Sequence, residues 1–363
     1  MEKVALSHHS LLYYLVVLST FICASPSLVG GFFSKIAIII LISINIYFFN
    51  VNRYVYLSIL FISSVFIIKY LVAIASEGYN VDLYPLVLML HLYFLVTYPF
   101  GNKLYFNAVK LGVELCFYFG FIASFISLVL GKGVFIFSLA NKGLPNIYAF
   151  EGFTTTPQAF ASLAILVLMF NYNSIKGAFK RYIPFMGLLL SINRTILLGG
   201  MLVFFYRFLF LFLPIIALSF IFIELFAFET KLFTLQTISS RIDMLVNISS
   251  NYFSMGISGI MFGTFMSPNF EVHSAGTKYI ENGIMFILYY FGLVGFIAYS
   301  IFVGFLLFSS IKLKFYSKAK VLIYFILVTT IVPMLTHEFL YISFYVSIIF
   351  FIEQVYFLNY KKR

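Results

Sequence analysis

Residues 182–206 read YIPFMGLLLSINRTILLGGMLVFFY, an apolar stretch whose one charge, Arg194, falls near the middle. As a single helix this stretch crosses a membrane once and buries the guanidinium in hydrocarbon. As two half-helices it returns to the side it entered from, with Asn193 and Arg194 at a recessed turn. Ile183 to Ile192 is ten residues, which at ~1.5 Å per residue reaches halfway through a ~30 Å hydrocarbon core. Every later segment takes its orientation from this choice, and the basic residues decide it. A single helix puts Arg207, the Lys312 to Lys320 group and the last three residues outside, eight basic residues, and leaves Lys231, Arg241 and Lys278 inside. That inverts the positive-inside rule. Two half-helices are therefore predicted. Irregular backbone at that depth is tolerated only where protein buries it or water reaches it, so a cavity open to the outer face is expected at the turn.

The same pattern extends in both directions. The chain has 363 residues, enough for two or three soluble domains, but 63% are hydrophobic and only 10% charged, which excludes an ordinary water-soluble fold. Apolar runs predict spans near 10–28, 33–49, 54–75, 84–100, 109–130, 156–170, 182–192, 195–206, 208–228, 282–309, 321–335 and 338–357. The first has features of a signal peptide and is read as an uncleaved span because further spans follow at once. Fifteen Lys and Arg residues then fall on the side holding both termini, against seven opposite. The expected architecture is an all-α transmembrane bundle of about twelve spans, a single integral-membrane domain over 1–363 with both termini cytoplasmic. Outer loops occupy 131–155 and 229–281. The second, between spans nine and ten, reads as a folded lid. The net charge of +11 sits in short groups beside span ends, so no nucleic-acid partner is expected. Cys23 and Cys116 lie in different runs, which speaks against redox chemistry.

Arg194 stands first among candidate residues, because a guanidinium between apolar half-helices costs about 2.5–3.5 kcal/mol on insertion scales and is functional by default. The plain alternative is an arginine that snorkels, or that pairs with Glu224 or Glu338. Arg241 follows Ser239 and Ser240 and precedes Ile242, Leu245, Val246 and Ser249, with Tyr252 beyond, a spacing that predicts an amphipathic helix opened by a serine cap. A cation in that first turn opposes the macrodipole unless an anion binds both. Pairing with Asp243 or Glu229 is the alternative. Glu281 begins the tenth span, either as a favourable helix-start charge or as a general base. His337, like His273, faces outward, able to accept a proton or simply solvated. Lys69 and His91 lie inside spans, and Lys69 is placed to snorkel. No phosphate loop, H-E-x-x-H or Asp-x-Asp pair occurs, so neither a metal nor another cofactor is expected.

Ser191-Ile192-Asn193-Arg194-Thr195-Ile196-Leu197-Leu198-Gly199 resembles the Ser-Arg-x-x-Leu-Leu segment of the O-antigen polymerase and ligase superfamily of membrane glycosyltransferases (the Wzy and WaaL type), with Asn in place of Ser. Ser239-Ser240-Arg241-Ile242-Asp243-Met244 and then Gly256 to Phe265 are similar to its loop that begins with a small residue and Arg and closes on Gly-x-Gly, without the Trp often found near Met244. Glu281-Asn282-Gly283-Ile284-Met285 and Phe291-Gly292-Leu293-Val294-Gly295 are similar to its boundary segment, with Glu281 where ligases carry His. These motifs cover about residues 191 to 296. The resemblance implies a polysaccharide polymerase of a bacterial cytoplasmic (inner) membrane. It would take polyisoprenyl-diphosphate-linked oligosaccharides as donor and acceptor and build lipopolysaccharide O-antigen or capsule, with a chain-length regulator and a flippase as partners. Arg194 and Arg241 would bind the departing diphosphate, and Glu281, or else His337, would deprotonate the acceptor hydroxyl. The ligase of the same superfamily and a lipid-linked oligosaccharide flippase are the alternatives. A flippase is expected to show related halves and small outer loops.

Overall fold

The computed structural model describes residues 2–49, 53–77, 82–140, 146–171, 179–205, 235–266, 280, 282–312, 319–336 and 338–357. The chain is mostly helical. Its helices are α1 (Glu2–Ala24), the short α2 (Pro26–Val29), α3 (Gly31–Phe48), α4 (Arg53–Glu77), α5 (Tyr84–Thr97), α6 (Lys103–Val129), α7 (Pro157–Phe170), α8 (Phe179–Leu190), α9 (Arg194–Phe205), α10 (Leu235–Ser254), α11 (Ile257–Phe262), α12 (Gly283–Lys312), α13 (Ala319–Ile326), α14 (Val332–Leu335) and α15 (Ile342–Ile352). Among the described residues, Gly31–Phe48, Lys103–Val129 and Gly283–Ile311 are long and apolar enough to cross a membrane. This is a helical membrane protein. Side chains on α4 show what surrounds it: Phe61, Ile67, Ile68, Leu71 and Val72 all lie on the exterior, as on a helix solvated by lipid. The ninth predicted span, 208–228, lies outside the described residues.

Local chemistry sets the helix starts. Asn102 accepts a hydrogen bond from the Tyr105 amide at 3.1 Å and Thr156 from the Ala159 amide at 3.1 Å, capping α6 and α7, and Pro157 occupies the first position of α7, where its missing N–H costs nothing. The core between α1, α5, α6, α7 and α15 is dense with aromatic rings, including Phe94, Phe117, Phe160 and Tyr345, all buried. Gly112 lets α6 approach α1 closely, since a Cβ there would lie 2.7 Å from both the Thr20 Cβ and the Val17 carbonyl oxygen.

The 131–155 loop departs from an all-helical reading. Strands β1 (Ile136–Ser138) and β2 (Tyr148–Phe150) pair antiparallel, Ile136 opposite Phe150. The hairpin is held to α6 by Ser124, whose hydroxyl donates to the Phe135 carbonyl at 2.8 Å and accepts from the Gly152 amide at 2.9 Å. In the 229–281 segment, α10 starts at Leu235, so Ser239 and Ser240 lie within the helix and Arg241 stands in its second turn. The serine-cap and macrodipole arguments for Arg241 therefore fail. The stripe that α10 buries is Met244, Ile248 and Tyr252, while Val246 is 59% exposed.

The end of that loop is packed deep against α12. Gly263 (φ 70°) and Gly292 (φ 67°) are both left-handed, and Gly292 breaks α12 into two helical segments. A Cβ on Gly263 would lie 2.3 Å from the Tyr290 carbonyl carbon, and one on Gly292 would lie 2.4 Å from that of Met261. Two backbones cross here with no room for a side chain on either. Lys69 has partners within the protein: its ammonium donates to the carbonyls of Phe262 (2.7 Å) and Gly263 (3.0 Å) at the end of α11 and lies 4.7 Å from the centre of the Phe265 ring. A cation at those orphan carbonyls satisfies the end of a helix.

Candidate functional site

The predicted break is present. α8 ends at Leu190, Ser191 to Asn193 form a turn, and α9 begins at Arg194. Ser191 is buried, and Ile192 has φ 50°, a left-handed conformation that costs a β-branched residue about 1–3 kcal/mol. Asn193 Oδ1 accepts from the Ile196 amide at 3.1 Å, so Asn193 caps α9 and Arg194 is its first helical residue. The Arg194 side chain lies outside the described residues. Ile196, two positions on, shares a small cavity with Val332, Glu338 and Ser343, which brings the start of α9 beside the connection between α14 and α15.

A second capping asparagine builds the neighbouring wall. Asn282 Oδ1 accepts from the Met285 amide at 2.9 Å, while its Nδ2 donates to the Met334 carbonyl. Gly283 N–H donates to the Thr336 carbonyl at 3.1 Å, and a Cβ on Gly283 would sit 2.6 Å from the Phe339 ring. In Glu281-Asn282-Gly283 the asparagine thus starts α12 and pins it to α14, and the glycine admits the 334–339 segment. Glu281 and His337 lie outside the described residues, but the residues on either side of them, Ile280 and Asn282, Thr336 and Glu338, are described, and Asn282 and Gly283 bond directly to the 334–336 backbone.

Arg241 is eleven residues before Tyr252 in α10, about 16 Å along the helix. The Tyr252 hydroxyl donates to the Ile260 carbonyl at 2.6 Å, fixing the C-terminal end of α10 to the packed loop. The Arg241 side chain, with those of Ser239 and Ser240, lies outside the described residues, as does all of His273.

Several polar groups at this end are placed by tertiary structure alone. Glu338 is 2% exposed and accepts from Gln158 Nε2 at 2.9 Å. Asp82 accepts from the Tyr290 hydroxyl and from the Tyr84 amide at 3.1 Å, and its own amide donates to the Phe265 carbonyl at 2.8 Å. Burial pushes the Asp82 carboxyl above its ordinary value, a rise that these hydrogen bonds oppose. Burial likewise raises Glu151. The Ser27 amide donates to the Phe153 carbonyl at 3.0 Å, and its hydroxyl to the Thr154 carbonyl at 2.5 Å.

A cavity of about 340 Å³ opens among these connections, lined by residues that include Cys23, Lys35, Tyr84, His91, Thr154, Thr155, Tyr341 and Ser343, with Ile38, Val87, Leu163 and Leu340 as its apolar wall. None of its described lining residues belongs to the 191–194 turn, where the sequence predicts a cavity. Its polar residues come from five separate segments, and nothing in local sequence marks them. His91 is 3% exposed, its Nδ1 is 2.8 Å from the Val87 carbonyl, and its ring stacks on Tyr345. Comparison with protein-family models, with curated proteins and with solved structures returns no match.

Proposed function

We propose that the chain is a membrane glycosyltransferase that polymerises polyisoprenyl-diphosphate-linked oligosaccharide repeat units into surface polysaccharide, at the outer face of a bacterial cytoplasmic membrane that it crosses about twelve times. The observation that carries this reading is the convergence of three segments that hold its motif residues. The capped start of α9 with Arg194, the capped start of α12 that follows Glu281, and the 334–338 segment that includes His337 meet at one end of the bundle.

The proposed chemistry needs two functions side by side. Arg194, with Arg241 from the lid, neutralises the diphosphate as the glycosyl bond to it breaks; a fixed guanidinium fork suits an oxygen pair on phosphate. Glu281, with His337 as the other candidate, removes the proton from the acceptor hydroxyl that forms the new bond. Chain-length control and supply of repeat units fall to separate partners, a regulator and a flippase. Orientation is supported by the contacts between connections. Those assigned to the outer side, around Ser27, Asp82, Thr154, Asn282 and Glu338, meet at one end. At the other end, the Gly101 amide donates to Glu353 Oε1 at 3.0 Å and Asn171 Nδ2 to Glu114 Oε1 at 3.0 Å.

Deleting the gene and resolving both the surface glycan and the lipid-linked pool separates the readings. Loss of a polymerase leaves single repeat units and no ladder, loss of a ligase leaves polymer on the polyisoprenyl lipid, and loss of a flippase traps single units on the cytoplasmic leaflet. In complementation, Arg194→Ala and Arg241→Ala should give no ladder at normal membrane levels, with Lys at either position restoring it in part because a point charge does not reproduce the fork. Unchanged ladders in the deletion strain, with no second polymerase present, would sink the proposal.

A further inference from the structure

Exposed apolar side chains do not stop where α6 ends. Phe119, Ile122, Ile126 and Val129 form an exposed stripe along α6, the face that a membrane-spanning helix turns to lipid. Leu130, Val134, Phe137, Ile147 and Tyr148, all exposed, carry that surface onward through the β1–β2 hairpin. α6 has 27 residues, about 40 Å at ~1.5 Å per residue, against a hydrocarbon core of ~30 Å. With Lys103 at one boundary and the usual tilt of about 20°, the end of α6 stands roughly 7 Å beyond the other boundary, at the level of the phospholipid headgroups. The hairpin starts from there.

Backbone, side chains and charge each limit where the hairpin can lie. A two-stranded sheet has N–H and C=O groups along its edges, and among the described residues no third strand pairs with it. Hydrocarbon leaves such groups unsatisfied, which keeps the hairpin out of the bilayer core. Its exposed Val, Phe, Ile and Tyr side chains disfavour bulk water in turn. Residues 130–150 contain two basic residues, Lys132 and Lys142, and no Asp or Glu. An apolar segment whose only charge is positive matches a surface of anionic lipid headgroups. A second copy of the chain would set the same two charges against these and be repelled. We propose that the hairpin is a foot that rests in the headgroup layer of an anionic leaflet, with its apolar side chains toward the acyl boundary and Lys132 among the lipid phosphates. Ser124 binds the hairpin backbone at Phe135 and Gly152, and Ser27 binds it at Thr154, so the foot sets the level of the connections at that end of the bundle against the membrane surface. Such a foot requires neither glycosyl transfer nor one particular leaflet.

The test places an environment-sensitive fluorophore on Phe137→Cys in the purified full-length chain, in nanodiscs made of equal parts phosphatidylcholine and phosphatidylglycerol. Cys23 and Cys116 are buried, and the unsubstituted chain measures any labelling of them. Nitroxide on the lipid headgroup should quench the Phe137→Cys label at least twofold more than nitroxide at mid-chain. The order should reverse for Val65→Cys, an exposed position halfway along α4. Acrylamide, a neutral aqueous quencher, should act on the Phe137→Cys label at least threefold more weakly than on a label placed after Arg363. A photoreactive phenylalanine at Tyr148 identifies the neighbour: irradiation should yield phospholipid adducts, with phosphatidylglycerol favoured roughly fivefold, the effect of one basic side chain near an anionic surface. Lys132→Glu, which leaves residues 130–150 with no net charge, should bring that ratio close to one. Gel filtration and thermal melting verify that each variant is folded. Acrylamide quenching equal to that of the label after Arg363 would put the hairpin in water, and stronger quenching from mid-chain would put it in hydrocarbon. Either result, a cross-link to a second copy of the chain in place of lipid, or an unchanged lipid ratio in folded Lys132→Glu would overturn the proposal.

Discussion

Asn193 shows how a departure from a motif acquires a physical meaning. The resembled segment has Ser before its Arg, whereas this chain has Asn, and the structure shows that the position is a helix cap, with Oδ1 bound to the Ile196 amide at 3.1 Å. Ser and Asn serve that role about equally, because each offers a side-chain oxygen at the right reach. Asn193→Ala should therefore cost about 1 kcal/mol of stability, read as a lower melting temperature in detergent, and reduce polymer by loosening the turn that presents Arg194. Asn193→Ser should restore both. If Ala were as stable as Ser, the cap would not be what holds Arg194 in place. Asn282 repeats the device at α12. A sequence rule of a capping residue ahead of an apolar run can find both asparagines, although not the bond from Asn282 to the Met334 carbonyl. Lys69, bound to the Phe262 and Gly263 carbonyls, lies beyond such a rule, since its partners are nearly two hundred positions away.

Among the elements, the helices were the legible part, because an apolar run long enough to reach across hydrocarbon has few alternatives. α3, α6 and α12 lie where such runs predict them, and the break at Arg194 followed from charge and length together. Two features escaped. The β1–β2 hairpin is too short to signal itself by alternation and depends on Ser124 of α6. The start of α10 at Leu235 was hidden because two serines resemble a cap wherever they fall. In the sequence Gly263 and Gly292 are only motif letters; their reason is a crossing of two backbones. Gly263→Ala and Gly292→Ala should each destabilise the protein by roughly 2–5 kcal/mol, the sum of left-handed strain and overpacking against a carbonyl. Gly304→Ala, inside α12 where a Cβ meets nothing within 4 Å, is the control and should be neutral or slightly stabilising. The readout is the monodisperse fraction and melting temperature of each variant. Equal behaviour of all three would show that the loop does not dock on α12.

At the scale of the whole molecule, one arithmetic of charge and one of contact bear on the same topology. The fifteen basic residues that the twelve-span reading puts on one side, against seven on the other, come from sequence and know nothing of packing; the contacts that gather Ser27, Thr154, Gln158 and Glu338 at one end, and Gly101 with Glu353 at the other, know nothing of charge. An even number of crossings between 170 and 235 would separate the two, since it would leave α12 entering from the end where Glu353 lies. The topology is therefore testable at a few insertion points. Reporter tags at residue 175, after residue 207 and after the last residue should read cytoplasmic, and tags at residues 145 and 275 should read outside. Residue 265 is a poor insertion point, because Phe265 is 1% exposed and stacks near Phe66 and Tyr70, so a tag there would unseat the loop it reports on. A cytoplasmic signal at 275 with an outside signal at 145 would place Glu281 and Arg241 across the membrane from the 131–155 hairpin. The site at the start of α12 would then face the wrong compartment for an exported, lipid-linked glycan.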